Sequence, residues 1–229
     1  MMNLIAALLQ RVQARIVWLV LAVLILGSLG FTLRTRGRVD EHEDAEERLF
    51  VEVKRVLSAQ KVKLDSDKPE DEYLIYAGIR APSDGEPMAE VATRRNSELV
   101  EGREVRIRFD ELKRDKEGRM VAYLFSGETF VNEVLVREGL AYARITPTTS
   151  RFSKRLLDAQ AEARKAKRGL WNKRLPAKES SFAADPKYGN FHRLSCEEVS
   201  KTPNDRVAKI NTEKEAFDRG FAPCTKCRP

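Results

Sequence analysis

The sequence predicts an α+β protein that is mainly β, with an apolar segment before its folded region and a cysteine cluster after it. Between residues 48 and 175, strand patterns, one helix, two further strands and two helices follow one another. Eighteen uncharged residues precede this region, and all three cysteines fall within the last 34 of the 229 residues. These observations favour one core domain with an appendage on either side.

The N-terminal segment 16–33 reads IVWLVLAVLILGSLGFTL and follows a short tail, residues 1–15. At about 1.5 Å per helical residue, this length just spans the hydrocarbon core of a bilayer. A cleaved signal peptide is the alternative, but the apolar run exceeds the roughly 7–15 residues typical of one, and no small-x-small cleavage site follows it. The sequence therefore predicts an uncleaved single-pass membrane anchor. Arginines flank both of its ends, so the side on which the rest of the chain lies stays open.

The segment 34–47 contains the acidic run DEHEDAEE and is expected to be a solvated spacer. The excess of positive charge lies beyond it, because residues 48–175 carry 27 basic against 21 acidic residues, a net +6 of the chain's +7. Such a balance is compatible with nucleic acid or an anionic membrane surface, and it is also common in proteins that bind neither.

The first half of the core domain carries three strand patterns. Residues 49–56 (LFVEVKRV) and 61–64 (KVKL) are bounded runs rich in β-formers. Residues 72–79 (EYLIYAGI) form a nearly continuous apolar strand, which ends where Pro82 biases the preceding residue away from helix.

In the second half of the core domain, the spacing of apolar residues first changes from that of a strand to that of a helix. Apolar residues at helical spacing predict a helix over residues 87–100, with Gly102 near its C-terminal cap. Alternating residues 103–109 (REVRIRF) and the run 120–125 predict two more strands, and helices are expected near 131–138 and 153–168.

Five ordered blocks identify a family resemblance. The blocks are LIYAGIRAPSDGEPMAEVA, EGREVRIRF, DKEGRMVAYLF, VNEVLVREGLAYA and AEARKAKRGLW. In this order they resemble the staphylococcal-nuclease or thermonuclease-like domain over residues of about 49–171. The resemblance implies a five-stranded OB-type barrel with packed helices, a fold often used to bind oligonucleotides. Fold alone does not establish activity.

Phosphodiester cleavage in this family needs carboxylates that hold Ca²⁺, a carboxylate that positions water and two arginines that stabilise the transition state. The resemblance places Gln60 and Arg80 where the family has metal carboxylates, Ile75 at the first arginine and Ser83 at the catalytic glutamate. Two unit charges about 4 Å apart repel by about 4 kcal/mol at an effective dielectric of 20. Arg80 therefore disfavours Ca²⁺.

Arg119 matches the family's second catalytic arginine, although a turn residue kept for structure is the favoured interpretation. If the fold holds, Lys61, Arg80 and Arg119 are expected to converge into a metal-free site for an anion such as nucleic acid or a nucleotide. Under a shifted alignment, acids between residues 65 and 72 would replace the missing carboxylates, and a solvated loop is the favoured interpretation of that run.

The C-terminal region is predicted to comprise a linker, residues 176–187, and a zinc-binding module, residues 188–229. His192-x₃-Cys196 and Cys224-x₂-Cys227 supply four nitrogen and sulfur ligands in two close pairs, as in tetrahedral zinc sites. The alternative is three free thiols beside an incidental histidine.

The ending GFAPCTKCRP makes this module resemble the zinc-binding domain of Ada-type DNA methylphosphotriester repair proteins. There a methyl-accepting cysteine is the first ligand, whereas here it is His192. Imidazole can hold zinc but cannot act as the methyl-accepting thiolate, so a structural zinc is expected. About 40 residues bury little core of their own, so zinc is expected to hold the module folded.

The sequence as a whole favours a membrane-anchored binding protein with no nuclease activity, which takes nucleic acid, an anionic ligand or a protein partner. The alternative is an active membrane-bound phosphodiesterase that uses acids other than the family's own. Oligomeric state is left open.

Overall fold

The structure is a computed structural model that describes residues 49–172 and 179–229. Residues 48–229 form one compact unit. The predicted tail, anchor 16–33 and spacer 34–47 lie outside the described residues. Within the two described ranges, no helix has both the length and the apolar character needed to cross a bilayer.

The described residues form strands β1 to β12 and helices α1 to α5. The strands are β1 (Leu49–Ser58), β2 (Lys61–Leu64), β3 (Tyr73–Tyr76), β4 (Ile79–Arg80), β5 (Glu104–Arg108), β6 (Met120–Ser126), β7 (Thr129–Phe130), β8 (Tyr142–Ala143), β9 (Phe182–Asp185), β10 (Asn190–Arg193), β11 (Ala208–Ile210) and β12 (Ala222–Pro223). The helices are α1 (Ala89–Val100), α2 (Val131–Arg137), α3 (Ser153–Lys165), α4 (Glu197–Ser200) and α5 (Glu213–Asp218), with 3-10 turns at Pro69–Asp71, Gly169–Trp171 and Asn204–Arg206.

Five strands close into a barrel in the order β3-β2-β1-β5-β6. Neighbouring strands are antiparallel, and a parallel pairing between β3 and β6 closes the ring. Inward residues such as Val53, Val62, Leu74, Ile107 and Leu124 have no more than trace exposure. The predicted α+β class and the five-stranded OB-type barrel with packed helices are therefore confirmed.

Strand β1 is bent, which lets it serve two neighbours. Its first residues pair with β5, from Leu49 opposite Ile107 to Glu52 opposite Glu104. Its second half pairs with β2, with register shifts between Val53 and Arg55 and between Val56 and Ser58. Such bulges increase local twist, so one strand can turn a barrel corner.

The predicted strand 72–79 is divided in two by a turn at Gly78. This glycine has a φ of +71°, and a Cβ on it would lie 2.7 Å from Leu156 Cδ1. A left-handed backbone packed this closely favours glycine. The turn ends β3 at Tyr76 and starts β4, which carries Arg80 into a separate two-stranded sheet with β8.

Helix α3 is shorter than the predicted 153–168 because its C-terminus is capped early. Lys167 takes a left-handed φ of 52°. Arg168 N donates to Ala163 O and Lys167 N donates to Arg164 O, the two bonds of a Schellman cap.

The C-terminal region forms a four-stranded sheet in the order β11-β9-β10-β12. Strand β9 falls within the predicted linker 176–187. Its four residues are too few to show a period, and they become a strand because β10 and β11 pair with its two edges.

This C-terminal region shares an aromatic core with the barrel. Trp171 packs edge-on against Phe217 with ring centroids 4.8 Å apart, and Tyr142 stacks on Phe217 at 5.8 Å. Phe191 completes the contact at 5.3 Å from Phe217. The small region therefore gains buried apolar surface from the barrel.

Buried polar contacts join the same two parts. Gln160 on α3 accepts from Ala143 N at 2.9 Å and donates to Phe217 O at 2.8 Å. Ile145 N donates to Gly220 O at 2.8 Å. The amide of Gln160 thus satisfies one backbone group on each side.

Candidate nucleic-acid interface and metal centre

Gln60 lies in the tight turn between β1 and β2, and its side chain holds the backbone of the next loop. Oε1 of Gln60 accepts from Ala81 N at 2.5 Å, while its backbone oxygen accepts from Tyr76 N at 2.9 Å. The side-chain amide oxygen of Gln60 is therefore engaged within the protein.

Arg80 is buried with 7% exposure and is neutralised locally. Its Nη2 donates to Oε1 and Oε2 of Glu86 at 2.7 and 2.8 Å. Its guanidinium lies 5.6 Å from the ring centre of Tyr142. Arg80 is thus held in an internal ion pair with Glu86.

Glu86 receives a further bond from Ser83 N at 2.8 Å. Burial by itself would raise the pKa of Glu86, but the Ser83 N–H and the Arg80 guanidinium outweigh it and lower that pKa. Ser83 therefore contributes its backbone to this pair, while its residue is exposed at the surface.

Arg119 lies in the turn that leads into β6 and pairs within that turn. Its Nε donates to Asp115 Oδ2 at 2.7 Å, and its Nη2 donates to Glu117 Oε2 at 2.8 Å. The bond to Asp115 raises the pKa of Arg119, against a smaller effect of burial. The side-chain acceptors of Arg119 therefore lie within its own turn.

Lys61 and Lys63 flank an aromatic ring on one face of the barrel sheet. Lys61 is opposite Ile75 and Lys63 is opposite Tyr73 in the β2–β3 register. Their Nζ atoms lie 5.0 and 5.9 Å from the centre of the Tyr73 ring. The parallel pairing of Leu74 with Met120 places Arg119 beside Tyr73 in the strand register.

The predicted anion residues therefore divide between two sheets. Lys61 is the first residue of β2 and Arg119 directly precedes β6, both in the barrel sheet. Arg80 belongs to β4 and faces Glu86. A single site that unites all three stays a prediction.

The acidic run between residues 65 and 72 is largely occupied by basic partners. Asp65 pairs with Lys54 at 3.2 Å, Glu72 pairs with Lys63 at 2.5 Å, and Asp71 pairs with Arg114.

The four residues predicted to be metal ligands lie close together, as their spacing predicts. His192 Nδ1 or Nε2 and the sulfurs of Cys196, Cys224 and Cys227 all lie within 4.8 Å of one another. Parallel pairing of β10 with β12 produces this arrangement, because Phe191 O accepts from Cys224 N at 2.9 Å. The cluster is buried apart from Cys227, which is partly exposed.

The donor set fits a cation. His192 Nδ1 is buried and has no hydrogen-bond partner in the described parts of the chain. Burial lowers the pKa of His192 and so favours the neutral imidazole that binds metals. Burial also raises the pKa of Cys227 to about 12 when no ion is present. A bound cation would stabilise the thiolates, so the cluster is a candidate metal site.

Three residues near Arg80 escaped the sequence analysis: Glu86, Tyr142 and Arg144. Glu86 was hidden in a polar turn, and its only signal was its position three residues after Ser83. Tyr142 lies in the block VNEVLVREGLAYA, and Arg144 directly follows it. That block indicated the fold of the family and no site residue.

Comparison with known proteins agrees with this architecture. Residues 73–173 match the family described as staphylococcal nuclease homologue. The chain therefore contains a staphylococcal-nuclease-like domain, and it has thermonuclease homologues.

Two of the relatives are thermonucleases. The thermonuclease of Staphylococcus intermedius is 28% identical over 127 residues, which cover 53% of this chain and 75% of the relative. That of Staphylococcus hyicus is 27% identical over 124 residues, covering 52% and 73%. Endonuclease YncB of Bacillus subtilis (strain 168) is 37% identical over 91 residues, covering 38% of this chain and 43% of the relative.

Proposed function

We propose that the nuclease-like barrel binds single-stranded nucleic acid without cleaving it by the family's metal chemistry. The observation that carries this proposal is the buried pair of Arg80 and Glu86. A guanidinium with its own counter-ion stands where the family resemblance implies a metal carboxylate. Gln60 supports the proposal because its amide oxygen is bonded to Ala81 N.

The binding face is the one that carries Lys61, Lys63, Tyr73 and Arg119. Lysines contact phosphates, while an aromatic ring offers a stacking surface for a base. Tyr73 and both lysines are partly exposed. This combination suits a chain of phosphates and unpaired bases.

The test combines binding and digestion by the full-length chain. Denatured DNA and RNA are incubated with the protein in Ca²⁺ and in EDTA, and binding of a labelled single strand is followed by fluorescence anisotropy. We expect binding without cleavage in both conditions. Chelator-sensitive cleavage that disappears in Arg119→Ala would refute the proposal.

The second candidate is an active phosphodiesterase, and the thermonuclease homologues favour it. It would need carboxylates from the run between residues 65 and 72. Because Asp65, Asp71 and Glu72 already pair with basic residues, a metal would have to displace Lys54, Arg114 and Lys63. We therefore rank this candidate second.

We propose further that the cysteine cluster holds a structural Zn²⁺. Three sulfurs and one imidazole are the donors that zinc prefers in closed sites. Metal analysis of the purified chain should give one zinc per chain. Cys196→Ser should reduce that content, while Ser195→Ala, its exposed neighbour, should not.

Finally, we propose that the segment 16–33 anchors the protein to a membrane with a single span. Its uncharged length supports this. Alkaline carbonate extraction should leave the full chain in the membrane fraction, and protease accessibility in intact cells would show which side carries the barrel. A protein partner for the C-terminal region stays a prediction.

A further inference from the structure

Strand β8 brings a second arginine beside Arg80. In the β4–β8 ladder, Arg80 pairs with Tyr142 and Ile79 pairs with Ala143. The ladder continues one residue further, since Arg144 N donates to Gly78 O at 2.8 Å. Because side chains alternate along extended backbone, Arg144 lies on the same face as Tyr142 and its partner Arg80.

Within the described ranges, no carboxylate, carbonyl or hydroxyl oxygen accepts a hydrogen bond from the Arg144 guanidinium. Burial and, after it, the charge of Arg80 lower the pKa of Arg144. The side chain nevertheless keeps some contact with solvent. A cation that has lost part of its hydration and gained no partner is a costly arrangement, and an anion would relieve it.

Arg80 retains donors for the same ligand. Both bonds to Glu86 come from Nη2, so Nε and Nη1 have no hydrogen-bond partner in the described parts of the chain. A cavity of about 580 Å³ opens beside it. The walls include Arg80, Glu86, Met88, Tyr142, Leu170 and Arg228.

Three arginines are grouped around this position. Arg228 is close enough to contribute to the lowered pKa of Glu86. Arg80 and Arg228 both lie near Glu86, and the charge of Arg80 also acts on Arg144. The cavity wall carries Arg80 and Arg228, and Arg144 lies next to Arg80. This concentration of guanidinium groups favours a ligand of negative charge.

The C-terminal region holds the stem of Arg144 in place. Gly189 has a φ of +66°, and a Cβ on it would lie 2.9 Å from Arg144 Cγ and 2.9 Å from Ile145 O. This close approach restricts the side chain before any ligand arrives. A restrained arginine loses less freedom on binding.

We propose that Arg144 and Arg80 form a site for a phosphate-type oxyanion at the seam between the barrel and the C-terminal region. Planar guanidinium forks match the oxygens of a phosphate and bind them through charged hydrogen bonds. The phosphate belongs either to a free mononucleotide or to a nucleic-acid backbone. The site uses none of Lys61, Lys63 and Arg119, so it stands whether or not that strand face binds nucleic acid.

The experiment titrates inorganic phosphate into the full-length chain at low ionic strength, with sodium chloride of equal ionic strength as reference. The readout is the dissociation constant from calorimetry, together with the phosphate-induced rise in melting temperature. Arg144→Gln should weaken phosphate binding at least tenfold, and Arg144→Lys should weaken it less. Arg103→Gln removes the same charge from an exposed arginine and should bind phosphate like the wild type.

Two further ligands distinguish the sources of the phosphate. If the ligand is a free nucleotide, Arg144→Gln weakens the binding of adenosine monophosphate and leaves the binding of a single-stranded oligonucleotide unchanged. If the phosphate is part of a nucleic acid, Arg144→Gln weakens the binding of the oligonucleotide as well. Lys61→Ala then weakens the binding of the oligonucleotide alone.

The proposal is overturned if wild-type protein gives no phosphate response beyond that of chloride at millimolar concentration. It is equally overturned if Arg144→Gln titrates like Arg103→Gln. Circular dichroism shows whether each variant folds. If Arg144→Gln does not fold, Arg144→Lys takes its place, and phosphate binding equal to that of the wild type then counts against the site.

Discussion

Arg80 and Glu86 form a bidentate ion pair in which one guanidinium nitrogen reaches both carboxylate oxygens at 2.7 and 2.8 Å. The side chains are 8% and 15% exposed, so water screens the pair poorly. The pair joins β4 to the turn before α1. It also places a positive group where the family resemblance implies a carboxylate.

Removing the negative partner should destabilise the protein. Glu86→Gln leaves Arg80 buried with a weaker acceptor, and breaking a buried pair costs about 3–5 kcal/mol. Urea unfolding of the full chain measures this change. Asp84→Asn, in the same loop but exposed, is the control and should change stability by less than about 0.5 kcal/mol. Equal effects of the two substitutions would show that the pair is not a stabilising contact.

The same pair should make stability depend on pH in the acid range. The pKa of Glu86 is lowered in the folded state, so its contribution is complete above the unfolded pKa, about 4.3, and is lost as the pH falls through the lower folded value. The difference in unfolding free energy between wild type and Glu86→Gln should therefore be constant from pH 7 to about 5 and shrink below about 4. A difference that grew on acidification would contradict the assigned direction of the shift.

Metal removal should be visible at Trp171. The chain has two tryptophans, so Trp18→Phe leaves Trp171 as the single reporter. Trp171 packs on Phe217 of the C-terminal region. A zinc chelator should shift its emission to longer wavelength, because loss of the ion loosens that region and admits water to the ring.

Cys196→Ser in the Trp18→Phe background should show the shifted emission before any chelator is added. Ser195→Ala in the same background should behave like the parent. If chelation removes a stoichiometric metal and the emission of Trp171 stays unchanged, the metal site and the shared aromatic core are independent of each other.

Gln160 should matter more than its neighbours on α3. Gln160→Leu removes partners from Ala143 N and Phe217 O, which lie in a buried setting. Each unsatisfied buried group costs about 1–3 kcal/mol, so we expect a loss of about 2–4 kcal/mol in urea unfolding. Asp158→Ala on the same helix breaks only an exposed pair with Lys154 and should cost less than about 1 kcal/mol.

Lys61 should contribute to nucleic-acid affinity through phosphate contact. Lys61→Ala should weaken single-strand binding and reduce the slope of log affinity against log salt by about 0.7, the value for one phosphate on a single strand. Lys209→Ala removes an exposed lysine from β11 and should leave the slope unchanged. A slope that is the same in wild type and Lys61→Ala would place the interface elsewhere.

Much of this fold could be predicted because its signals are local. The period-2 alternation of residues 103–109 and the helical spacing before Gly102 each depend on near neighbours only. The cysteine cluster was also predictable, since ligands three or four residues apart can reach one ion from a single turn. Strand β9 was missed because its formation depends on pairing with β10 and β11. The early end of α3 was missed because it depends on a left-handed cap. The periodicity of the sequence indicates neither feature.

The sequence by itself determined the barrel class and the four residues of the candidate metal cluster, and the family resemblance led to the prediction that Gln60 and Arg80 stand where the family has carboxylates. Only the tertiary structure decided what these two side chains contact. Glu86 lies six residues from Arg80, and Tyr142 and Arg144 lie more than sixty residues away, and the folded backbone brings all three to one guanidinium. The energy of interaction between two charges in a protein depends on their distance and their burial. Neither can be read from the spacing of residues along the chain.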